Sequence, residues 1–158
     1  HRSAGRALSM RIGSALVAVA ALLAASLPSL AAEYRGVAVD AAVLYDGPSE
    51  RAQKRFVVVR GTPLEVLSTL NPWVKVRDVD GDVLWIRAAE LTEPRFVVVS
   101  RALASVRRSP SAVGELLFQA ERGVLLEVVD GSAPAGWLNV RHPDGTQGFV
   151  SASDVFGR

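Results

Sequence analysis

Trp73-Val74-Lys75-Val76-Arg77-Asp78-Val79-Asp80-Gly81 returns 64 residues later as Trp137-Leu138-Asn139-Val140-Arg141-His142-Pro143-Asp144-Gly145, and that recurrence decides the fold. In each copy apolar and polar side chains alternate from the tryptophan to the arginine, the period of a half-buried β-strand. The Asp-Gly pair that follows tolerates positive φ, and its spacing predicts a two-residue hairpin turn. Working outward, an offset of 62 residues aligns Pro48-Ser49 with Pro110-Ser111, Phe56 with Phe118, Arg60-Gly61 with Arg122-Gly123, and Leu64-Glu65-Val66 with Leu126-Glu127-Val128. A two-residue insertion then changes the offset to 64, which holds as far as Ala88 and Ala152. With Val37/Val99 and Ala42/Ala104 the copies share 16 identities in one order. The chain is a tandem repeat.

The units read as β throughout. Val37, Val39 and the run Val97–Val99 are β-branched and bounded by glycine or charge, while Pro63-Leu64-Glu65-Val66-Leu67 alternates. Short strands at this spacing, without helical periodicity, predict an all-β chain of two small barrels. A single 3-10 turn is expected at Ala88-Ala89-Glu90 and again at Ala152-Ser153-Asp154. Each unit has only about 60 residues, near the lower limit for an independent core. The connection Thr92-Glu93-Pro94 is too short for a flexible tether, so the barrels should pack together.

The start of the chain reads differently. Arg2, Arg6 and Arg11 precede an apolar run of 16 residues, Ile12 to Leu27, and Pro28 is followed by the small–x–small triplet Ser29-Leu30-Ala31. This is the order of a secretory signal, expected over residues 1–31 with Met10 as initiator. It places the protein in the periplasm or outside the cell; an uncleaved segment anchoring it to the inner membrane is the alternative. The full chain of 158 residues carries 18 basic and 16 acidic side chains, a formal charge of +2. Three arginines and no acids lie in residues 1–31, leaving 15 basic against 16 acidic groups, or −1. The basicity belongs mostly to the export segment, and no nucleic-acid partner is expected. The chain has no cysteine, which excludes disulfides, thiolate nucleophiles, iron–sulfur clusters and cysteine-type zinc sites.

Several of these residues together resemble the bacterial SH3 (SH3b) domain. They are Gly47-Pro48-Ser49, Gly61 to Leu67, Trp73 to Arg77, Asp80-Gly81 and Trp85-Ile86 in a unit over residues 32–92. A second unit over residues 95–158 has Ser109-Pro110-Ser111, Gly123 to Val129, Gly136 to Arg141, Asp144-Gly145 and Gly148-Phe149-Val150. The resemblance implies five-stranded, partly open barrels, usually outside the cytoplasm, that bind cell-wall peptides or protein partners. Ala42-Val43-Leu44-Tyr45-Asp46 is also similar to the Ala-Leu-Tyr-Asp-Tyr opening of eukaryotic SH3 domains, which hold polyproline ligands. That groove needs a proline and a tyrosine after the last hairpin. Here Arg87 and Glu90, or Ser151 and Asp154, stand instead, and the second unit has Ser105-Val106-Arg107-Arg108 for the tyrosine motif. Polyproline binding is not expected.

Candidate chemistry is sparse. Asp78, Asp80 and Asp82 resemble part of a calcium loop, but the second unit has His142, Asp144 and Thr146 and keeps only the turn. No metal or cofactor is expected. His142, the one histidine after residue 31, reads as a solvated turn residue. Glu65 and Glu127 recur as outward charges on alternating strands, and no enzyme is expected. The aromatics carry more: Trp73 and Trp137 fall on the polar face of their strands, while the faces of Trp85 and Phe149 depend on hairpin register. Exposed aromatics make good peptide contacts. Candidate ligand contacts are therefore Tyr45, Trp73, Trp85, Arg107, Trp137 and Phe149; the alternative is that the rings cover barrel edges or the contact between units. The clusters Arg51, Lys54, Arg55 and Arg107-Arg108 suit acidic peptides or anionic wall polymers if they are not simply solvated loops. The expected function is a non-catalytic envelope binding module recognising cell-wall peptide or an envelope protein. A structural subunit of an envelope complex is the alternative.

Overall fold

The computed structural model describes Gly5, residues 31–131 and residues 133–158. The expected export segment, with its Met10 start, lies outside the described residues apart from Gly5 and Ala31. Residues Ala31–Arg158 gather in one compact unit that contains two sheets.

The first sheet comprises β1 (Glu33–Val37), β2 (Ala41–Tyr45), β3 (Lys54–Val59), β4 (Pro63–Leu70), β5 (Trp73–Arg77), β6 (Val83–Arg87) and β7 (Leu91–Thr92). The second comprises β8 (Phe96–Val99), β9 (Leu103–Arg107), β10 (Leu116–Glu121), β11 (Leu125–Val128), β12 (Trp137–Arg141), β13 (Gln147–Ser151) and β14 (Val155–Phe156). Their strand orders, β3-β2-β6-β5-β4-β1-β7 and β10-β9-β13-β12-β11-β8-β14, match element for element. The expected 3-10 turns are present at Ala88–Glu90 and Ala152–Asp154. Each sheet has seven strands where the resemblance implies five. The surplus arises because β1 and two-residue β7 pair with each other beside β4, through Gly36–Thr92 and Val37–Leu91.

Alternation sorts each strand. Val37, Leu44, Leu64, Val76 and Ile86 are buried in the first core, and Val97, Val99, Val106, Leu126, Val140 and Val150 in the second. Among the described residues no polar or charged residue is fully buried. The barrels are therefore held by apolar packing, with backbone groups satisfied along the ladders.

The predicted two-residue turns are longer. In the first hairpin Asp78 N–H donates to Asp82 O at 3.0 Å and Gly81 N–H donates to Asp78 O at 3.0 Å, so three residues cap the loop. Gly81 and Gly145 take φ of +87° and +93°, the left-handed conformation that closes a type I turn with a bulge. The repeated Arg-Gly pair also has a structural role. The Arg60 and Arg122 guanidiniums donate to Ala38 O and Ser100 O respectively, tying each β3 or β10 end to the bend after its first strand.

The barrels touch directly. Tyr34 meets Phe156 edge-on with ring centroids 5.2 Å apart, and Arg122 pairs with Asp80 at 2.7 Å. Phe96 packs so closely on Gly61 that a Cβ there would lie 2.8 Å from its ring. One core position differs between the two copies. Leu84 of β6 is buried in the first barrel, whereas the matching Gly148 of β13 leaves room for Leu117 of β10, 3.0 Å from where a Cβ would stand.

Candidate functional site

Strand register brings the candidate residues into rows. On the first sheet Lys54 of β3 opposes Tyr45 of β2, Tyr45 opposes Trp85 of β6, and Trp85 opposes Lys75 of β5. Directly opposed residues share a face, so these four side chains form one line across the outer surface. The second sheet repeats the line with Leu116, Arg107, Phe149 and Asn139. The uncertain faces of Trp85 and Phe149 are thereby fixed: both lie on the outer side, with Trp73 and Trp137 two residues along β5 and β12 from Lys75 and Asn139. A bulge at Arg55 sets the position of Lys54. Leu44 pairs with Phe56 but Tyr45 pairs with Lys54, so the extra residue moves Lys54 onto the outer face. Leu117 is the bulged residue in the second sheet.

Beside this line in the first barrel, Tyr45 and Trp73 meet edge-to-face, centroids 5.2 Å apart at 81°. Arg87, opposite Trp73 in register, spreads over both rings with its guanidinium carbon 5.9 Å from the Tyr45 centroid and 5.6 Å from that of Trp73. Glu50, from the loop between β2 and β3, holds Arg87 at 2.6 Å. Alternation predicts an exposed Trp73, yet Trp73 is only 8% exposed and Tyr45 5%. The outward direction is right; the rings are buried because each covers the other and Arg87 roofs both. Trp85 is half-buried, with Lys75 Nζ 6.0 Å from its ring centroid.

Among the described residues the second barrel has no such roof. Ser151 faces Trp137 in register, and its hydroxyl lies 2.9 Å from that of Ser153. Trp137 and Phe149 are half-buried. Arg107 reaches away along its own loop, where Nη1 donates to Gly114 O at 2.9 Å.

The remaining candidates resolve into scaffold. Asp78 Oδ1 accepts the Asp80 and Asp82 N–H groups at 3.0 and 2.9 Å, and burial raises its pKa above the ordinary aspartate value. Its oxygen thus organises the hairpin. In the second hairpin His142 Nδ1 accepts the Asp144 N–H at 3.2 Å. His142 also sits edge-on to Phe118 with centroids 5.2 Å apart, while its side chain stays 37% exposed, so it is a turn residue packed on one side and solvated on the other. Glu65 and Glu127 pair with Arg77 and Arg141 across the strands at 3.1 and 3.8 Å. Among the described residues no three acidic or histidine side chains converge on a point where a metal could sit. To a ligand this geometry offers flat rings with ammonium and guanidinium groups beside them.

The family comparison matches twice. A model described as bacterial SH3 domain covers residues 38–93 and 100–157. No curated protein matches. Among solved structures, NlpC1 from Trichomonas vaginalis is 14% identical, with 89% of this chain and 51% of that chain covered at a TM-score of 0.37. An NlpC/P60 family protein from Bacillus cereus ATCC 10987 is 16% identical, with 78% and 56% covered and a TM-score of 0.37. NlpC2 from Trichomonas vaginalis is 12% identical, with 82% and 49% covered at 0.36. The chain spans about half the length of these structures.

Proposed function

The chain belongs to the bacterial SH3 domain family, and from that premise we propose that it is an exported, non-catalytic binding module whose ligand is a cell-wall peptide or an envelope protein. One observation carries the reading. At the same register position on both outer faces a half-buried ring stands opposite a nitrogen-bearing side chain: Trp85 opposite Lys75, and Phe149 opposite Asn139. Such a ring offers area at low entropy cost while the neighbouring group selects polar partners. Export is supported by the basic, apolar and small-residue order of residues 1–31.

Co-sedimentation of the full chain with purified sacculi tests this. The expected result is retention that falls about thirtyfold in a Trp85→Ala, Phe149→Ala double variant, since each ring is worth roughly 1 kcal/mol. No sedimentation, or sedimentation unchanged by the double substitution, overturns the wall-binding form.

A second reading has its own support. On edge strand β3, Val57 and Val59 are 66% and 58% exposed, opposite Val43 and Ala41 of β2. The matching residues of the second barrel are polar at three of four places: Gln119, Glu121 and Ser105. The fold does not require an apolar face there, so this patch is where assembly into a larger envelope complex would occur. Chemical cross-linking in cells, with Val57→Gln and Val59→Glu as the disrupting pair, distinguishes this reading from wall binding.

A further inference from the structure

The chain contains two lysines among its 18 basic residues, and both fall in one row of one face. Lys54 and Lys75 sit at the two ends of the line Lys54–Tyr45–Trp85–Lys75. Every ion pair among the described residues uses an arginine or histidine as its cation, so neither ammonium is neutralised from within. The same face already seats one carboxylate. Glu50 reaches in from its loop to hold Arg87 above Tyr45 and Trp73. The copy of this line in the second barrel has Leu116 and Asn139 where the lysines stand, so the pair is not a requirement of the fold.

We propose that this row is a subsite for an extended acidic peptide, its two carboxylates held by Lys54 and Lys75 and an apolar residue lying on Trp85. The inference rests on the binding-module reading and gives its first barrel a ligand class. Spacing sets the ligand. Three inter-strand steps of about 4.8 Å separate the ends of the row, about 14 Å in all, which is four residues of an extended chain at about 3.4 Å each. Carboxylates at positions i and i+4 therefore reach both lysines, with the residue between them over the ring. The chain crosses the strands instead of adding to the edge at β3. An ammonium is a compact point charge on a flexible stem, so it accepts either carboxylate oxygen without demanding a planar fork.

The probe is acetyl-Glu-Thr-Val-Thr-Glu-amide, whose first, third and fifth side chains share one face when extended, titrated into the full chain by calorimetry, with the Gln-for-Glu peptide as its neutral partner. The acidic peptide is expected to bind and the neutral one to bind at least tenfold more weakly. A Lys54→Gln, Lys75→Gln variant should lose about fivefold affinity per lysine. Removing two charges elsewhere, in Arg95→Gln, Arg101→Gln, should leave affinity unchanged. Equal binding of both peptides, equal loss in both double variants, or preference for inorganic polyphosphate over the peptide overturns the proposal. Sacculus retention separates the two levels. If the lysine variant still sediments while neither peptide binds, the acidic subsite fails and the binding module stands. If the parent chain does not sediment, the broader reading fails irrespective of the peptide result.

Discussion

In the first barrel the outer row reads Lys54, Tyr45, Trp85, Lys75, and in the second the same register positions hold Leu116, Arg107, Phe149 and Asn139. The roof beside it differs as sharply: Arg87, clamped by Glu50, covers Trp73, whereas Ser151 leaves Trp137 half-buried. Inside, four matched core positions are identical, among them Leu64 with Leu126 and Val76 with Val140, and Leu44/Val106 and Ile86/Val150 exchange one aliphatic side chain for another. The difference teaches a division of labour within one fold. Inward positions are held to apolar side chains by the cost of burying anything else. Outward positions keep only their direction, which the ladder imposes, and are free to change chemistry. One duplicated backbone thus presents two unlike surfaces.

The largest break in this comparison is expected from the tryptophans. Trp73→Ala removes a ring that Tyr45 and Arg87 enclose and should cost about 3 kcal/mol of stability. Trp137→Ala, at the less covered position, should cost less than half as much. Urea unfolding midpoints measure both, and equal losses would show that the Arg87 roof contributes nothing. The next effect comes from the core swap. Gly148→Ala would place a Cβ 2.7 Å from Arg107 O and 2.9 Å from Val106 Cγ1, and should destabilise by about 2 kcal/mol. A neutral result would mean that the β9 backbone at Arg107 and the Val106 side chain move aside for the added methyl.

The smallest effect sharpens the contrast between hairpins. Burial raises the Asp78 pKa above the ordinary 3.8, while the Thr146 N–H lowers that of Asp144 below it. Asp78 therefore contributes stability that is fully present below the unfolded value and is lost as pH rises through the folded one. Asp144 contributes stability that is present above the unfolded value and is lost as pH falls through the folded one. Carboxyl chemical shifts followed through acid pH should show the Asp78 midpoint above that of Asp144; the reverse order would refute the assignment of the two turns.

Much of the architecture is legible in the residues. The ordered identities give a duplicated β fold, alternation gives the outward direction of Trp73 and Trp137, and the small-residue run after β6 and β13 gives the 3-10 turns. The surface is harder to read. Phe56 pairs with inward-facing Leu44, and strict alternation would send Lys54 to that same face; the bulge at Arg55 reverses that phase, and nothing local announces it. The burial of Trp73 depends on Glu50 holding Arg87 from 37 positions away along the chain, a contact that periodicity cannot report. The hairpin length was hidden for a related reason. Asp-Gly marks where positive φ falls, but the backbone bonds of Asp78 and Asp82 determine how many residues the loop contains. The candidate ligand face is thus visible as a direction in the sequence and becomes a surface only through register.

The placement of the two lysines also matters for how the molecule can be handled. Their ε-amines are the only ones on any side chain, so reagents that acylate lysine will act on the two ends of the Tyr45–Trp85 row. A sensor surface prepared by carbodiimide coupling through lysine would hold the first barrel by the face proposed to meet its ligand. Tethering through a carboxyl-terminal tag leaves that face open. The difference in response between the two immobilised forms is itself a footprint of the row.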